Sequence, residues 1–148
     1  MTTETQIPDS PALTQRLEFL APERLISANQ RLHHFARNRL TQEWRQAAHM
    51  YAIANKLQRM DRAKITITIG FPTNHKRDVS NYQPTAKAII DGLMDYRLLP
   101  DDNDVHLVGP DLRRGDKVST AVPTLVVDIQ ELCIAEHHVI PHLGCTLR

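Results

Sequence analysis

Residues 64–71 read Lys64-Ile65-Thr66-Ile67-Thr68-Ile69-Gly70-Phe71, and their alternation of apolar and polar side chains predicts a β-strand with one buried face. Pro72 ends that strand, and residues 72–83 form a polar loop. Pro84 suits the first turn of a helix, where its missing N–H costs nothing. The spacing of Ala86, Ile89, Ile90, Leu93 and Met94 predicts a helix running to about Leu98 with one buried stripe. Lys87, Asp91 and Asp95 fall on its other side at i, i+4 and i+8. Pro100 breaks the helix, and Val105–Val108 reads as a short strand.

Working outward, Thr41 is placed to cap a helix to about Met60. Trp44, Ala48, Tyr51 and Asn55 share one of its faces, with Ile53, Leu57 and Met60 on a neighbouring one. Residues 31–40 are basic and read as a loop or an irregular helix. Downstream, Gly109-Pro110 reads as a turn and residues 113–117 as a polar, hairpin-like turn. Thr124–Leu132 is a strand with Leu125, Val127 and Ile129 inward. The expected fold class is α+β, a small mixed sheet with two main helices packed on it. Pro8, Pro11 and Pro22 with weak periodicity predict a flexible N-terminal arm over 1–23, with room for a helical turn around Leu13–Phe19. The domain is expected over 24–132 and a tail over 133–148.

The 148 residues suffice for one domain with a core. Their 41% hydrophobic and 24% charged content is ordinary for a globular chain. No apolar run approaches the roughly 18 residues that span a bilayer, and the N-terminus lacks a signal-peptide pattern. The expected compartment is cytoplasmic. Two cysteines do not make a disulfide framework.

The net charge of +1 hides an asymmetry: residues 24–77 carry +9 and residues 78–104 carry −4. A basic block next to an acidic one is either a set of solvated faces or a phosphate-binding surface beside a metal site. Asp78 follows a strand and Asp101-Asp102 precede another, so the two places could share one end of the sheet. Carboxylates brought together there would hold a hard cation such as Mg²⁺. The plainer reading makes Asp101, Asp102 and Asp104 turn residues after Pro100. Lys87 is either a surface partner of Asp91 or a cation aimed at a phosphate. Cys133, His137, His138, His142 and Cys145 offer zinc-type ligands, though at no familiar spacing. His33, His34, His49 and His75 form no pattern. Trp44 and Tyr51 read as core residues, and Tyr82 in the polar loop is the better base-stacking candidate.

The run RDVSNYQPTAKAIIDGLMDYRLLPDDNDVHLV, residues 77–108, resembles the central motif of RusA-like Holliday-junction resolvases. That motif reads Arg-Asp-x-Asp-Asn, a lysine, Asp-(Ala/Gly)-Leu, then Asp-Asp and a hydrophobic strand. Ser27-Ala28-Asn29 with Arg31, and Trp44-Arg45 with the helix after it, resemble the family's N-terminal portion more loosely. The resemblance implies a homodimeric, Mg²⁺-dependent endonuclease, with Mn²⁺ as a substitute, acting on four-way or branched DNA in recombination and repair. It implies a bacterial cell or a phage-infected host. By position, Asp78, Asp102 and Lys87 resemble the catalytic set, and Asp78, Asp102, Asp101 and Asp91 become the implied metal carboxylates. The implied DNA-binding residues are Arg31, Arg37, Arg39, Arg45, Arg77, Asn81, Arg113, Arg114 and Lys117.

This chain departs from the pattern twice. Ser80 stands where the family typically has a second aspartate, and the gap from Asn81 to Lys87 is longer by about three residues. A hydroxyl is a poor substitute for a carboxylate on Mg²⁺, so Asp91, Asp101 or Asp104 is expected to complete the site. Ser80 also supports the alternative, a branched-DNA-binding protein with weakened catalysis. A third reading is a zinc-stabilised interaction module built on the C-terminal cysteines and histidines.

Overall fold

The computed structural model describes residues 13–132. The elements are β1 (Thr14–Leu20), α1 (His34–Ala54), β2 (Ala63–Gly70), a 3₁₀ turn (Val79–Tyr82), α2 (Gln83–Asp95), β3 (Leu107–Arg114) and β4 (Thr124–Glu131). They make one four-stranded mixed sheet in the order β1-β4-β2-β3, with α1 and α2 packed on each other and the α+β class as expected.

β2 holds the centre because its alternation is clean. Ile65, Ile67 and Ile69 are fully buried, while Thr66 and Thr68 are only half-buried. On the antiparallel neighbour β4, Leu125, Val127 and Ile129 are also fully buried, and they lie opposite Ile69, Ile67 and Ile65. Such facing pairs are the unit of sheet stability. β3 pairs with β2 in parallel. A parallel pair needs a crossover, and α2 supplies it.

α1 contributes Leu40, Trp44, Ala48 and Ala52, one buried residue per turn, and α2 contributes Ala86, Ile89, Ile90 and Leu93. The helices meet at Gly92. A Cβ there would fall on the Arg45 carbonyl oxygen and within 2.8 Å of the Ala48 Cβ. Among the described residues, the Trp44 indole and the buried Thr85 hydroxyl both find partners. Trp44 Nε1 donates to the Arg24 carbonyl at 2.9 Å. Thr85 Oγ1 accepts from the Ile26 N–H at 2.7 Å and donates to the Ile26 carbonyl at 2.9 Å. None of the described helices is long and apolar enough to cross a membrane.

Several local expectations change, among them the short strand expected at Val105–Val108, which is instead β3 from Leu107 to Arg114. The stretch expected as a loose arm with a helical turn forms the edge strand β1, with Leu17 and Phe19 buried and Arg16 paired across to Asp128 at 2.7 Å. Only two alternating apolar positions announced it, too few to register as a period. α1 begins at His34, earlier than the expected Thr41. Its cap is His33, whose Nδ1 accepts from the Phe35 N–H at 3.2 Å, an atypical capping residue. Thr41 instead donates back to the Arg37 carbonyl at 2.9 Å. The helix ends at Ala54, before the expected Met60, because Lys56 turns the chain with a φ of 51°. Finally, Gly109-Pro110 is not a turn. It sits inside β3, where the register to β2 shifts between Lys64 and Thr66. β3 is an edge strand, where proline and a bulge are tolerated. Arg113 and Arg114 therefore end a strand.

Candidate active site

The parallel pairing of β2 and β3 decides where the acidic residues go. The loop carrying Asp78 leaves the end of β2, whereas Asp101 and Asp102 precede the start of β3, which lies opposite Ala63. The two acidic segments therefore flank opposite ends of the strand pair, not the shared end that the sequence allowed.

α2 brings three of the expected residues together. Lys87 projects from its exposed flank, and its Nζ donates to Asp91 Oδ1 at 2.8 Å and to Asp102 Oδ2 at 3.4 Å. Asp91 is one helical turn away, the favourable i,i+4 geometry. Asp102 arrives from the loop after the helix. Lys87 is well exposed, with Asp91 the most covered of the three. The hydrogen bond to Asp91 first, and the one to Asp102 after it, hold the Lys87 ammonium above the ordinary lysine pKa, so it stays charged at neutral pH. The second oxygen of each carboxylate has no side-chain or backbone partner among the described residues.

Asp78 stands apart. It caps the 3₁₀ turn, and one oxygen, Oδ1, accepts from both the Ser80 hydroxyl at 2.7 Å and the Ser80 N–H at 3.1 Å. Those two bonds, the hydroxyl's first, hold the Asp78 carboxyl below the usual aspartate pKa. Ser80 thus serves as a donor to the aspartate rather than as a replacement for one. Asp101 does the turn work of the plainer reading: Oδ1 accepts from the Asp102 N–H at 2.7 Å and Oδ2 from Asn103 Nδ2 at 3.3 Å. Asp104 is exposed, with no side-chain hydrogen bond of this kind among the described residues. Among the described residues, no three His, Cys, Asp or Glu side chains converge as a metal-binding group. The cysteine and histidine set of the tail lies outside the described residues.

The donors that do converge suit Mg²⁺ only as a pair. Asp91 and Asp102 already face one cation, the Lys87 ammonium, and Mg²⁺ commonly takes one or two carboxylates with waters and phosphate oxygens. Asp78 and Asp101 do not belong to that pair.

The basic residues divide sharply. Arg45 is committed to Asp95, with Nε to Oδ2 at 2.6 Å and Nη2 to Oδ1 at 2.7 Å, a fork that ties α1 to α2. That bond raises the Arg45 pKa and lowers the Asp95 pKa. Arg45 thus serves the helix packing, and its charge is neutralised. Arg37 reaches the Ser27 carbonyl at 3.4 Å. Arg31, Arg39, Arg113 and Lys117 are exposed, with no ion pair among the described residues. Asn81 holds the loop through its backbone, its carbonyl accepting from the Ala28 N–H at 2.7 Å. Arg77 and Arg114 meet over Phe71, an anchor that the strand pattern marked only as apolar. Tyr82 lies against the same ring, at 5.7 Å between centroids. No family model matches the chain, and no curated protein matches it in sequence.

Proposed function

We propose that this protein is a Mg²⁺-dependent endonuclease that cuts four-way or branched DNA, centred on Lys87, Asp91 and Asp102. The observation that carries the reading is the convergence of two carboxylates from separate segments on one lysine at an exposed helix flank. The resemblance of residues 77–108 to RusA-like resolvases and the basic block upstream support it. In this reading Asp91 and Asp102 hold Mg²⁺, with Mn²⁺ able to replace it. Bound there, the ion would polarise a phosphoryl oxygen and acidify a water. Lys87 neutralises charge on the phosphate, since an ammonium stabilises negative charge best where it is already positioned. Arg31, Arg39, Arg113 and Lys117 grip backbone phosphates without reading bases. A homodimer places two such centres on opposed strands of one junction. A cytoplasmic setting, in a bacterium or a phage-infected host, accords with this role.

One observation favours a second reading, a branched-DNA-binding protein with weakened catalysis. Asp78 is engaged by Ser80 and makes no contact with Lys87, Asp91 or Asp102. A nicking assay on a synthetic four-way junction, with and without Mg²⁺, separates the two. Mg²⁺-dependent nicks support the nuclease. Tight junction binding without nicks, at any Mg²⁺ or Mn²⁺ concentration, supports the binder.

A further inference from the structure

Phe71 leaves β2 at the end where β3 also finishes, and it is 3% exposed. Two arginines far apart in sequence cover its ring. The Arg77 Cζ lies 4.2 Å from the ring centroid and the Arg114 Cζ 5.5 Å. Both guanidinium groups donate to one acceptor, the His75 carbonyl, at 3.5 Å from Arg77 Nη1 and 2.8 Å from Arg114 Nη2. Arg77 also donates to the Thr73 carbonyl at 3.4 Å and to Thr73 Oγ1 at 3.0 Å.

Two cations thus share one aromatic ring and one carbonyl acceptor. Neither forms an ion pair with a carboxylate among the described residues. Like charges kept this close without a counter-charge favour any anion that reaches both. Each guanidinium carries five N–H donors, so both retain unused ones. Because stacking and carbonyl bonds already fix the two forks, little side-chain freedom is lost when an anion arrives. Beside Arg77, though not lined by Arg114, lies an open groove of about 530 Å³ whose wall includes Ser27, Gln30, Thr73 and Tyr82, with apolar side chains making up half of its residues. The groove leaves room for a nucleoside, and Tyr82 is the aromatic side chain in its wall that would meet a base.

We propose that Arg77 and Arg114 form a clamp for a phosphate group of a single DNA strand, with the adjoining groove and Tyr82 receiving the attached nucleoside. The clamp lies at the end of the β2–β3 pair away from the Asp102 loop. It rests on the nucleic-acid reading above only for what carries the phosphate. A phosphodiester in a strand and the phosphate of a free nucleotide share the chemistry, so both are assayed.

The test uses the full chain and a 5′-labelled single-stranded oligonucleotide, read by fluorescence anisotropy across a salt series. Inorganic phosphate and a deoxynucleoside monophosphate serve as competitors. Arg114→Ala should weaken oligonucleotide binding by ~10-fold, as expected for losing hydrogen bonds to a charged group. It should also flatten the plot of log K against log salt by about 0.7, one phosphate's share on a single strand. The control is Arg59→Ala, which removes an arginine similarly stacked, over Tyr96 at 4.9 Å, and bonded to the Tyr96 carbonyl at 3.2 Å. It should change neither quantity. Arg114→Lys keeps the charge and guards against misfolding of the alanine variant; it should keep the salt slope while weakening binding through loss of the fork. Equal effects of Arg114→Ala and Arg59→Ala overturn the proposal. So does competition by the mononucleotide at the oligonucleotide's own phosphate concentration, which would make a free nucleotide the ligand. A chain that never nicks a junction yet shows these changes sinks the nuclease reading alone. A chain that nicks while Arg114→Ala binds like Arg59→Ala sinks the clamp alone.

Discussion

The two ends of the β2–β3 pair carry opposite charge problems and solve them differently. At one end, two carboxylates share one ammonium within 3.4 Å, so Lys87 offsets half of the charge of Asp91 and Asp102 before anything binds. At the other, Arg77 and Arg114 share a ring and a carbonyl but no carboxylate among the described residues. The first arrangement attracts a cation only weakly at long range but offers one its ligands at close range. The second attracts anions from a distance, within the ~8 Å screening length of physiological salt and a little beyond. In the proposed reading this is a division of labour: the unpaired charge would recruit a phosphate, and the paired charge would take part in the chemistry.

The largest effect should come from breaking the paired end. Asp102→Asn should lower junction nicking by about 100-fold or more, the scale on which single charge-stabilising groups act, while junction binding stays equal or tightens. Nicking at the rate of the unmodified protein would remove Asp102 from the reaction. Next is the packing that holds this end in place. Gly92→Ala puts a methyl onto the Arg45 carbonyl oxygen and against Ala48, and should cost about 1–3 kcal/mol in urea unfolding. An unchanged midpoint would mean that the helices separate without cost.

A smaller effect isolates an arginine that is paired from those that are not. Asp95→Asn breaks the fork to Arg45, which is partly exposed and screened, and should cost about 0.5 kcal/mol at neutral pH. The Asp95 carboxyl is held low by Arg45, so the stabilisation is present above the ordinary aspartate pKa near ~3.9 and is lost as pH falls through the lower folded-state value. The difference between the two proteins should therefore vanish in acid, as followed by thermal melts at stepped pH. The smallest effect concerns Asp78. Ser80→Ala removes the main donor to its carboxylate, so the Asp78 titration midpoint should move up toward the ordinary value in an NMR titration. An unmoved midpoint would show that the backbone N–H alone sets it.

Local chemistry made much of this legible in the sequence. The alternation of Ile65, Ile67 and Ile69, the stripe of α2 and the inward set of β4 follow from side-chain period, which a chain displays in its own order. The Lys87–Asp91 pair follows from helical spacing in the same way. β1 did not show, because Leu17 and Phe19 become a strand only when β4 offers an edge. Nor did the bulge at Gly109-Pro110, which depends on β2 lying alongside.

What the sequence determined by itself is the α+β class, the buried faces, and which residues carry charge. Tertiary structure decided which charges meet. Asp102 reaches Lys87 and Asp78 does not, because β3 runs parallel to β2 and sets the two acidic loops at opposite ends. Arg45 is spent on Asp95, while Arg77 and Arg114 converge on Phe71, because Coulomb and hydrogen-bond partners are chosen by distance in space. The period of a strand or a helix acts over a few residues and can be read along the chain. The fate of a charge depends on strand order, which no local stretch encodes.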